Sequence, residues 1–310
     1  MIRVFVNGFF DENERVRVYE LHSLDGGELQ PFSAGAHIDL HLGNGLHRSY
    51  SLVNDPAEHH RYVIAVARDA QTRGGSAFIH DTVRKGDVLE ISAPKNNFAL
   101  NESANHSVLI AGGIGITPML SMMRRLDAIR ASWELHFCSQ SRSQAAFHDQ
   151  LSTDTRVRFF FDDEHQGSFI DIANLVATAL PGSHFYCCGP AGMLDAFAKA
   201  TTLVPAEHVH VEHFSAEPPA QTGDFLVECA RSGKTIPVSA GQTILNALRE
   251  AGINVAYSCE QGICGTCETA VLGGIPEHKD QVLSQAERDS GKTIMICCSG
   301  ALTHRLVLDI

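Results

Sequence analysis

Three cysteines stand at Cys259, Cys264 and Cys267, and a further pair, Cys297 and Cys298, follows after residues 268–296. This C-x4-C-x2-C run with a distant fourth thiol constrains the chain more than any other feature. It is the three-plus-one pattern by which four thiolates hold a [2Fe–2S] cluster, three of them from one tight loop. Gly262 and Gly265 give that loop the backbone freedom to wrap its contents and to aim amides at sulfur. Such amides stabilise the negative charge added on reduction. A four-cysteine zinc site usually pairs two short C-x2-C knuckles, and only one is present. The fourth ligand is Cys297 or Cys298. Neighbours on a strand point to opposite faces, so only one of the two can face the metal. Cys297 is the expected ligand, and Cys298 is then a buried small hydrophobe. The other cysteines are Cys138, Cys187, Cys188 and Cys229, so the count is an odd 9. An odd, unevenly spread set argues against a disulfide framework.

The remaining composition excludes several classes. A length of 310 residues allows two or three domains. With 44% hydrophobic and 19% charged residues, the chain is ordinary for a soluble globular protein. A net charge of −12 argues against nucleic acid as a partner, since phosphate binding needs basic patches. No run of about 18 apolar residues occurs, so no membrane span is expected. The segment Met1–Asn7 lacks the apolar core of a secretory signal. A cytoplasmic, monomeric protein is expected. The 17 histidines read as surface and strand residues rather than ligands.

Residues 1–102 are β-rich. His37–Leu42 alternates with period two and Tyr62–Ala67 is an apolar strand candidate. An antiparallel β-barrel or sandwich is predicted there. Over 103–215, strand candidates at 107–111, 134–138, 157–161, 184–188 and 208–214 alternate with helical stretches such as Pro118–Ile129 and Gly192–Ala200. Alternation of this kind predicts an α/β unit with a parallel sheet. Residues 216–223 are small, polar and Pro-rich, and read as a linker. Residues 224–310 form a third unit, opening with the strand Phe225–Cys229 and a helix over Thr243–Ala251 that stops at Gly252.

Two glycine-rich turns lie in the middle unit. Ser107–Ala111 runs into Gly112-Gly113-Ile114-Gly115-Ile116-Thr117-Pro118, a strand, a turn, and a helix starting near Thr117. Such a start offers amides and a partial positive charge to a pyrophosphate. A second strand ends in Cys187-Cys188-Gly189-Pro190. Both turns fall at the carboxyl ends of parallel strands, where ligands bind in open α/β sheets. In the first unit, Arg48-Ser49-Tyr50-Ser51 places a cation, two hydroxyls and an aromatic ring on one predicted strand. Arg takes a phosphate bidentately, Tyr packs on a ring, and Ser bonds a ring nitrogen. Arg73-Gly74-Gly75-Ser76 opens a predicted helix over Ser76–Val83 and suits a second anion nest.

Taken in order, R-S-Y-S, R-G-G-S, G-G-I-G-I-T-P, C-G-P, E-H-F and C-x4-C-x2-C resemble the phthalate dioxygenase reductase family, to which vanillate demethylase reductases are similar. The resemblance covers essentially the whole chain. It implies an FMN-binding barrel, an NADH-binding domain and a C-terminal plant-type ferredoxin domain of β-grasp type, feeding a Rieske-type oxygenase in aromatic catabolism. It implies that Arg48 binds the FMN phosphate, completed by Arg73, Gly74, Gly75 and Ser76. Ser49 and Tyr50 hold the ribityl side, and Ser51 bonds the ring near N5. Gly112, Gly113, Gly115 and Thr117 approach the NADH pyrophosphate. Cys188, Gly189 and Pro190 lie by the nicotinamide, Phe214 stacks on the flavin and Glu212 is nearby. Ser51, Cys188, Glu212 and Phe214 are thus the catalytic set. The family often has Thr where Ser49 stands, which keeps the hydroxyl.

A flavin accepts two electrons together and releases them one at a time, which is why three modules share one chain. The nearest alternative keeps this redox chain and changes the acceptor to a ferredoxin or a cytochrome. After the second strand of the α/β unit, Ser139-Gln140-Ser141-Arg142 offers no acidic group for a ribose 2′-hydroxyl. NADH is the expected donor from the resemblance, with NADPH less favoured.

Overall fold

The computed structural model describes residues 1–42, 46–68, 74–165, 168–214, 224–257, 260 and 262–310. Arg73, Cys259 and the expected linker 216–223 lie outside the described residues. The chain divides into two compact units, Met1–Glu212 and His213–Ile310.

The first unit begins with β1 (Ile2–Asp11), β2 (Val16–Ser23), β3 (His37–His41), β4 (His47–Ser51), β5 (Tyr62–Ala67), α1 (Gly75–Thr82) and β6 (Val88–Ile91). The six strands form an antiparallel sheet in the order β4-β3-β6-β1-β2-β5. Its two edge strands meet: Leu52, just past β4, bridges Ile64 of β5, and Val53 N donates to Val63 O at 2.9 Å. The sheet therefore curls back on itself, the barrel expected from the sequence. Alternation drives the curl. Val4 and Val6 of β1 are fully buried with Leu21, Ile38, Leu52 and Ile64. A register shift between Val6 and Gly8 bends β1. Helix α1 covers one opening, with Ile79 buried and the Tyr19 hydroxyl donating to its carbonyl at 3.1 Å.

The same unit continues with β7 (Ser107–Gly112), α2 (Ile116–Ala128), β8 (Trp133–Ser139), α3 (His148–Leu151), β9 (Val157–Phe161), α4 (Ile172–Thr178), β10 (His184–Cys188), α5 (Ala191–Ala200) and β11 (Val209–Glu212). The strands form an all-parallel sheet in the order β11-β10-β7-β8-β9. Central β7 is buried along its whole length, as a strand covered on both faces must be. Helices α4 and α5 pack Ile172, Leu194 and Phe197 on Val108, Ile110, Phe185 and Cys187, while α2 packs on β7 and β8. Strand β11 is shorter than the predicted 208–214, because Pro205 starts a 3-10 turn that takes up Ala206–His208. The two sheets of the unit are stitched together by Gly35 N donating to Ser121 Oγ (3.1 Å) and Asn101 N to the Tyr186 hydroxyl (2.8 Å).

The second unit holds β12 (Phe225–Cys229), β13 (Lys234–Val238), α6 (Ile244–Glu250), β14 (Glu268–Gly273), β15 (Pro276–Glu277), α7 (Gln285–Ser290), β16 (Thr293–Met295), β17 (Gly300–Ala301) and β18 (Arg305–Leu308). First and last strands pair in parallel at the middle of a mixed sheet, order β13-β12-β18-β14-β16. Helix α6 lays Ile244, Leu245 and Leu248 against Phe225, Val227, Leu306 and Leu308, the grasp arrangement expected for residues 224–310. Thr243 caps it by accepting from Asn246 N at 3.1 Å, and Gly252 follows its end at φ +72°. Among the described residues, no helix is long and apolar enough to cross a membrane.

Candidate functional sites

Strand β4 carries the Arg48–Ser51 set next to the start of α1. Gly75 is the reason the two fit: a Cβ added there would overlap Arg48 Nε. The Arg48 guanidinium thus lies over the first turn of α1, uniting a fixed cation with the positive end of a helix. Arg48 Nη1 donates to His47 O at 2.7 Å, which steadies the head group. Ser49 Oγ donates to Asp39 Oδ1 at 2.6 Å, and Lys95 Nζ binds Asp39 Oδ2 at 2.8 Å. Asp39, only 2% exposed, was not singled out in the sequence because nothing local marks a strand aspartate as buried. Burial holds the Tyr50 phenol above its ordinary range, with Arg48 opposing. Ser51 Oγ is buried and has no hydrogen-bond partner among the described residues. A buried hydroxyl beside a guanidinium-and-helix cradle suits a flavin ring atom and a phosphate respectively.

At the carboxyl rim of the parallel sheet the two glycine turns interlock. A Cβ at Gly115 would overlap the Cys188 carbonyl, one at Gly112 would stand 2.6 Å from Pro190 Cδ, and one at Gly189 would meet Gly112 Cα at 3.2 Å. Three of the four glycines are therefore needed so that the turns can touch each other. Gly113 differs: its φ is +54° and open space surrounds the missing side chain. It is the position with room for a ligand. The helix begins earlier than Thr117, through a 3-10 turn over Gly113–Gly115 into Ile116. Thr117 is consequently no cap; its hydroxyl donates back to Ile114 O at 2.9 Å.

Cys188 and Glu212 are register partners on β10 and β11. Burial pushes the Cys188 thiol well up, with Glu212 adding to the shift. Burial alone raises Glu212 to about 8. The residue keeps some exposure, but Oε2 is sealed from solvent and has no hydrogen-bond partner among the described residues. A carboxylate shares its charge over both oxygens, so sealing one of them from water already disfavours the ionised form.

In the second unit Cys264, Cys267 and Cys297 are all buried, at 8%, 4% and 3% exposure. Glu260, Gly262 and Gly265 adopt φ of +55°, +72° and +75°, so the chain around Cys264 coils through left-handed conformations, as a loop wrapping a cluster requires. Cys297 and Cys298 occupy a turn after β16 rather than a strand. Strand alternation therefore does not separate them; packing does. Cys298 Sγ lies against Gly262, whose added Cβ would overlap it, and contacts Met295 O and Ser299 Oγ at 3.7 Å. Cys298 is thus committed to holding the loop. With Cys259 outside the described residues, no three His, Cys, Asp or Glu side chains poised to hold a metal are found among the described ones. The soft, buried donors and the left-handed loop fit an iron–sulfur cluster.

Comparison with known proteins bears on the whole chain. Residues 227–302 match the 2Fe-2S iron-sulfur cluster binding domain. Phenoxybenzoate dioxygenase subunit beta of Ectopseudomonas oleovorans is 52% identical over 297 residues, covering 95% of this chain and 93% of the relative. The solved structure of phthalate dioxygenase reductase, described as modular for electron transfer from pyridine nucleotides to [2Fe-2S], superposes with a TM-score of 0.79 at 38% identity. It covers 100% of this chain and 98% of that one. The chain belongs to the phthalate dioxygenase reductase family. A second solved structure, an intact type IV self-sufficient cytochrome P450 monooxygenase, matches with a TM-score of 0.86 at 38% identity. All of this chain aligns there with 41% of the longer protein.

As a member of the phthalate dioxygenase reductase family, the chain is an oxidoreductase. Within its first unit, the structure gathers Arg48, Gly74 and Gly75 at one cradle and Gly112, Gly115, Cys188, Gly189 and Pro190 at one rim. Phe214 belongs to the second unit.

Proposed function

We propose that this chain is the reductase component of a Rieske-type aromatic oxygenase or demethylase system, carrying electrons from NADH through FMN and a [2Fe–2S] cluster to the oxygenase. FMN, when bound, takes up two electrons as hydride and gives them up singly, and the cluster handles one at a time. The observation that carries the reading is the joint presence of a glycine-locked nucleotide rim and a left-handed loop of buried thiols in one chain.

The residues divide the work. Arg48, with Arg73, Gly74, Gly75 and Ser76 at the start of α1, binds the FMN phosphate. Asp39 turns the Ser49 hydrogen away, so that Ser49 oxygen accepts from a ribityl hydroxyl while Tyr50 packs alongside. Ser51 Oγ supplies a hydrogen bond to the ring. Gly112, Gly113, Gly115 and Thr117 receive the pyrophosphate, and Cys188, Gly189 and Pro190 border the nicotinamide. Glu212 holds its proton at neutral pH, so no buried negative charge opposes a hydride donor's approach. Cys259, Cys264, Cys267 and Cys297 ligate the irons. The modules are residues 1–102, 103–215 and 224–310 with a linker at 216–223, acting as a cytoplasmic monomer.

NADH is favoured over NADPH by the end of β8. Arg142 is exposed there but engaged, bound to Glu164 at 3.1 Å and to His148 Nε2 at 3.1 Å. A 2′-phosphate would meet Asp162, Asp163 and Glu164 before a free cation. A cytochrome acceptor is a second reading, favoured by the match to a self-sufficient P450. Purified protein is expected to contain FMN, iron and acid-labile sulfide, and to reduce a Rieske oxygenase faster than a P450 or a free ferredoxin. Absence of iron and sulfide would overturn the reading, and faster reduction of the P450 would replace the acceptor.

A further inference from the structure

The loop around Cys264 leans on a second loop that the proposed electron path does not use. Gly262 O accepts from Gln281 N at 2.8 Å, and a Cβ on Gly262 would stand 3.1 Å from Asp280 Cα. The Asp280 side chain is fully buried. Its Oδ2 accepts from Val282 N (3.1 Å) and Leu283 N (2.8 Å), while Oδ1 has no hydrogen-bond partner among the described residues. Among the described residues, two cationic or ionisable groups face it: Arg288 Nη2 at 3.8 Å from Oδ2, and His278 Nδ1 at 3.7 Å from Oδ1. Both His278 ring nitrogens are buried without a hydrogen-bond partner among the described residues. Arg288 also clamps the loop, donating to Asp280 O at 2.5 Å and to Leu283 O at 3.0 Å.

Burying a carboxylate costs free energy unless it is paired and hydrogen-bonded. The loop amides use only Oδ2, a role that a neutral amide oxygen would fill as well. We propose that Asp280 is a positioning residue whose buried charge, set against the ligand loop at Gly262, tunes the reduction potential of the cluster held there, with Arg288 as the counterweight. The inference rests on the cluster reading above. A fixed negative charge disfavours adding an electron nearby, and the low dielectric of the site lets the effect persist. Asp280 therefore lowers the potential and Arg288 raises it.

The test is a spectroelectrochemical titration of the full-length holoprotein, with EPR of the reduced cluster. Asp280→Asn keeps shape and an oxygen acceptor for the loop amides. At a potential that reduces half of the wild-type clusters, most of the Asp280→Asn clusters should be reduced. Arg288→Gln should shift the other way, with fewer than half reduced. Unchanged midpoints, or two shifts of the same sign, would overturn the inference. Should Asp280→Asn fail to fold, the sign of the Arg288→Gln shift decides. A wild-type protein that contains no cluster sinks the underlying reading instead, and iron analysis separates the two failures.

Discussion

Cys188 and Glu212 sit opposite each other on neighbouring parallel strands, and each is pushed toward its neutral form by loss of water. An acid whose native value is about 8 keeps a proton that the unfolded chain releases above 4.5. Glu212 therefore imposes no ionisation cost below 4.5, and stability is lost as pH rises from there to about 8. Glu212→Gln removes that titration. Its melting temperature should match wild type near pH 4.5 and exceed it at pH 8. Calorimetry across this range checks it, and a wild-type-minus-variant difference independent of pH would contradict the assignment.

The thiol loop makes a separable prediction. Cys264→Ser replaces a soft, buried donor by a hard one and should abolish reduction of the partner. The nucleotide rim and the Arg48 cradle belong to the other compact unit, so flavin reduction by NADH should survive. Stopped-flow absorbance resolves the two phases. Loss of the hydride phase together with the cluster signal would argue against independent modules.

Glycines at the rim should not be equivalent. Gly115→Ala drives a methyl group into the Cys188 carbonyl, so the two turns must part. Overpacking of this kind costs about 1–3 kcal/mol and should also weaken NADH binding. Gly113→Ala meets open space and bears only the left-handed backbone cost, roughly 1–2 kcal/mol. Thermal melts with and without NADH test the contrast. If Gly113→Ala separated the turns and Gly115→Ala left NADH affinity untouched, the interlock would be the wrong explanation.

The elements with strong period were legible before the structure. Strands 157–161 and 184–188 came out at their predicted bounds, and Ile244–Glu250 lies inside the predicted helix. What the sequence does not announce is set by tertiary context. Helix α4 spans only Ile172–Thr178, so its apolar stripe of Ile172 and Val176 is less than two turns long and too short for its period to stand out. Cys297 and Cys298 leave β16 for a turn because the Met295 carbonyl binds the amides of Cys298 and Ser299, a closure that β-prone neighbours do not announce. Asp39 is a polar residue whose burial depends on a partner distant in sequence, Lys95, and Asp280 is buried by the loop that folds around it, with Arg288 closing over its carbonyl. The glycines of the nucleotide turns are conspicuous in the sequence, but the main constraint on Gly112, Gly115 and Gly189 is the opposite turn.

The phosphate cradle gives the sharpest mutational cycle. Gly75 has ordinary backbone angles, so Gly75→Ala strains no dihedral; it displaces Arg48, whose Nε occupies the space of the missing Cβ. FMN affinity should fall by about tenfold, near 1.4 kcal/mol, with little change in the melting temperature of the flavin-free protein. Arg48→Ala should weaken binding at least as much. If Gly75→Ala acts only through Arg48, adding it to Arg48→Ala should cost nothing further, an interaction that offsets the whole single-variant effect. Fluorescence titration of flavin-free protein with FMN measures all four corners of the cycle. Additive losses would mean that Gly75 serves the phosphate directly, and that the contact with Arg48 is incidental.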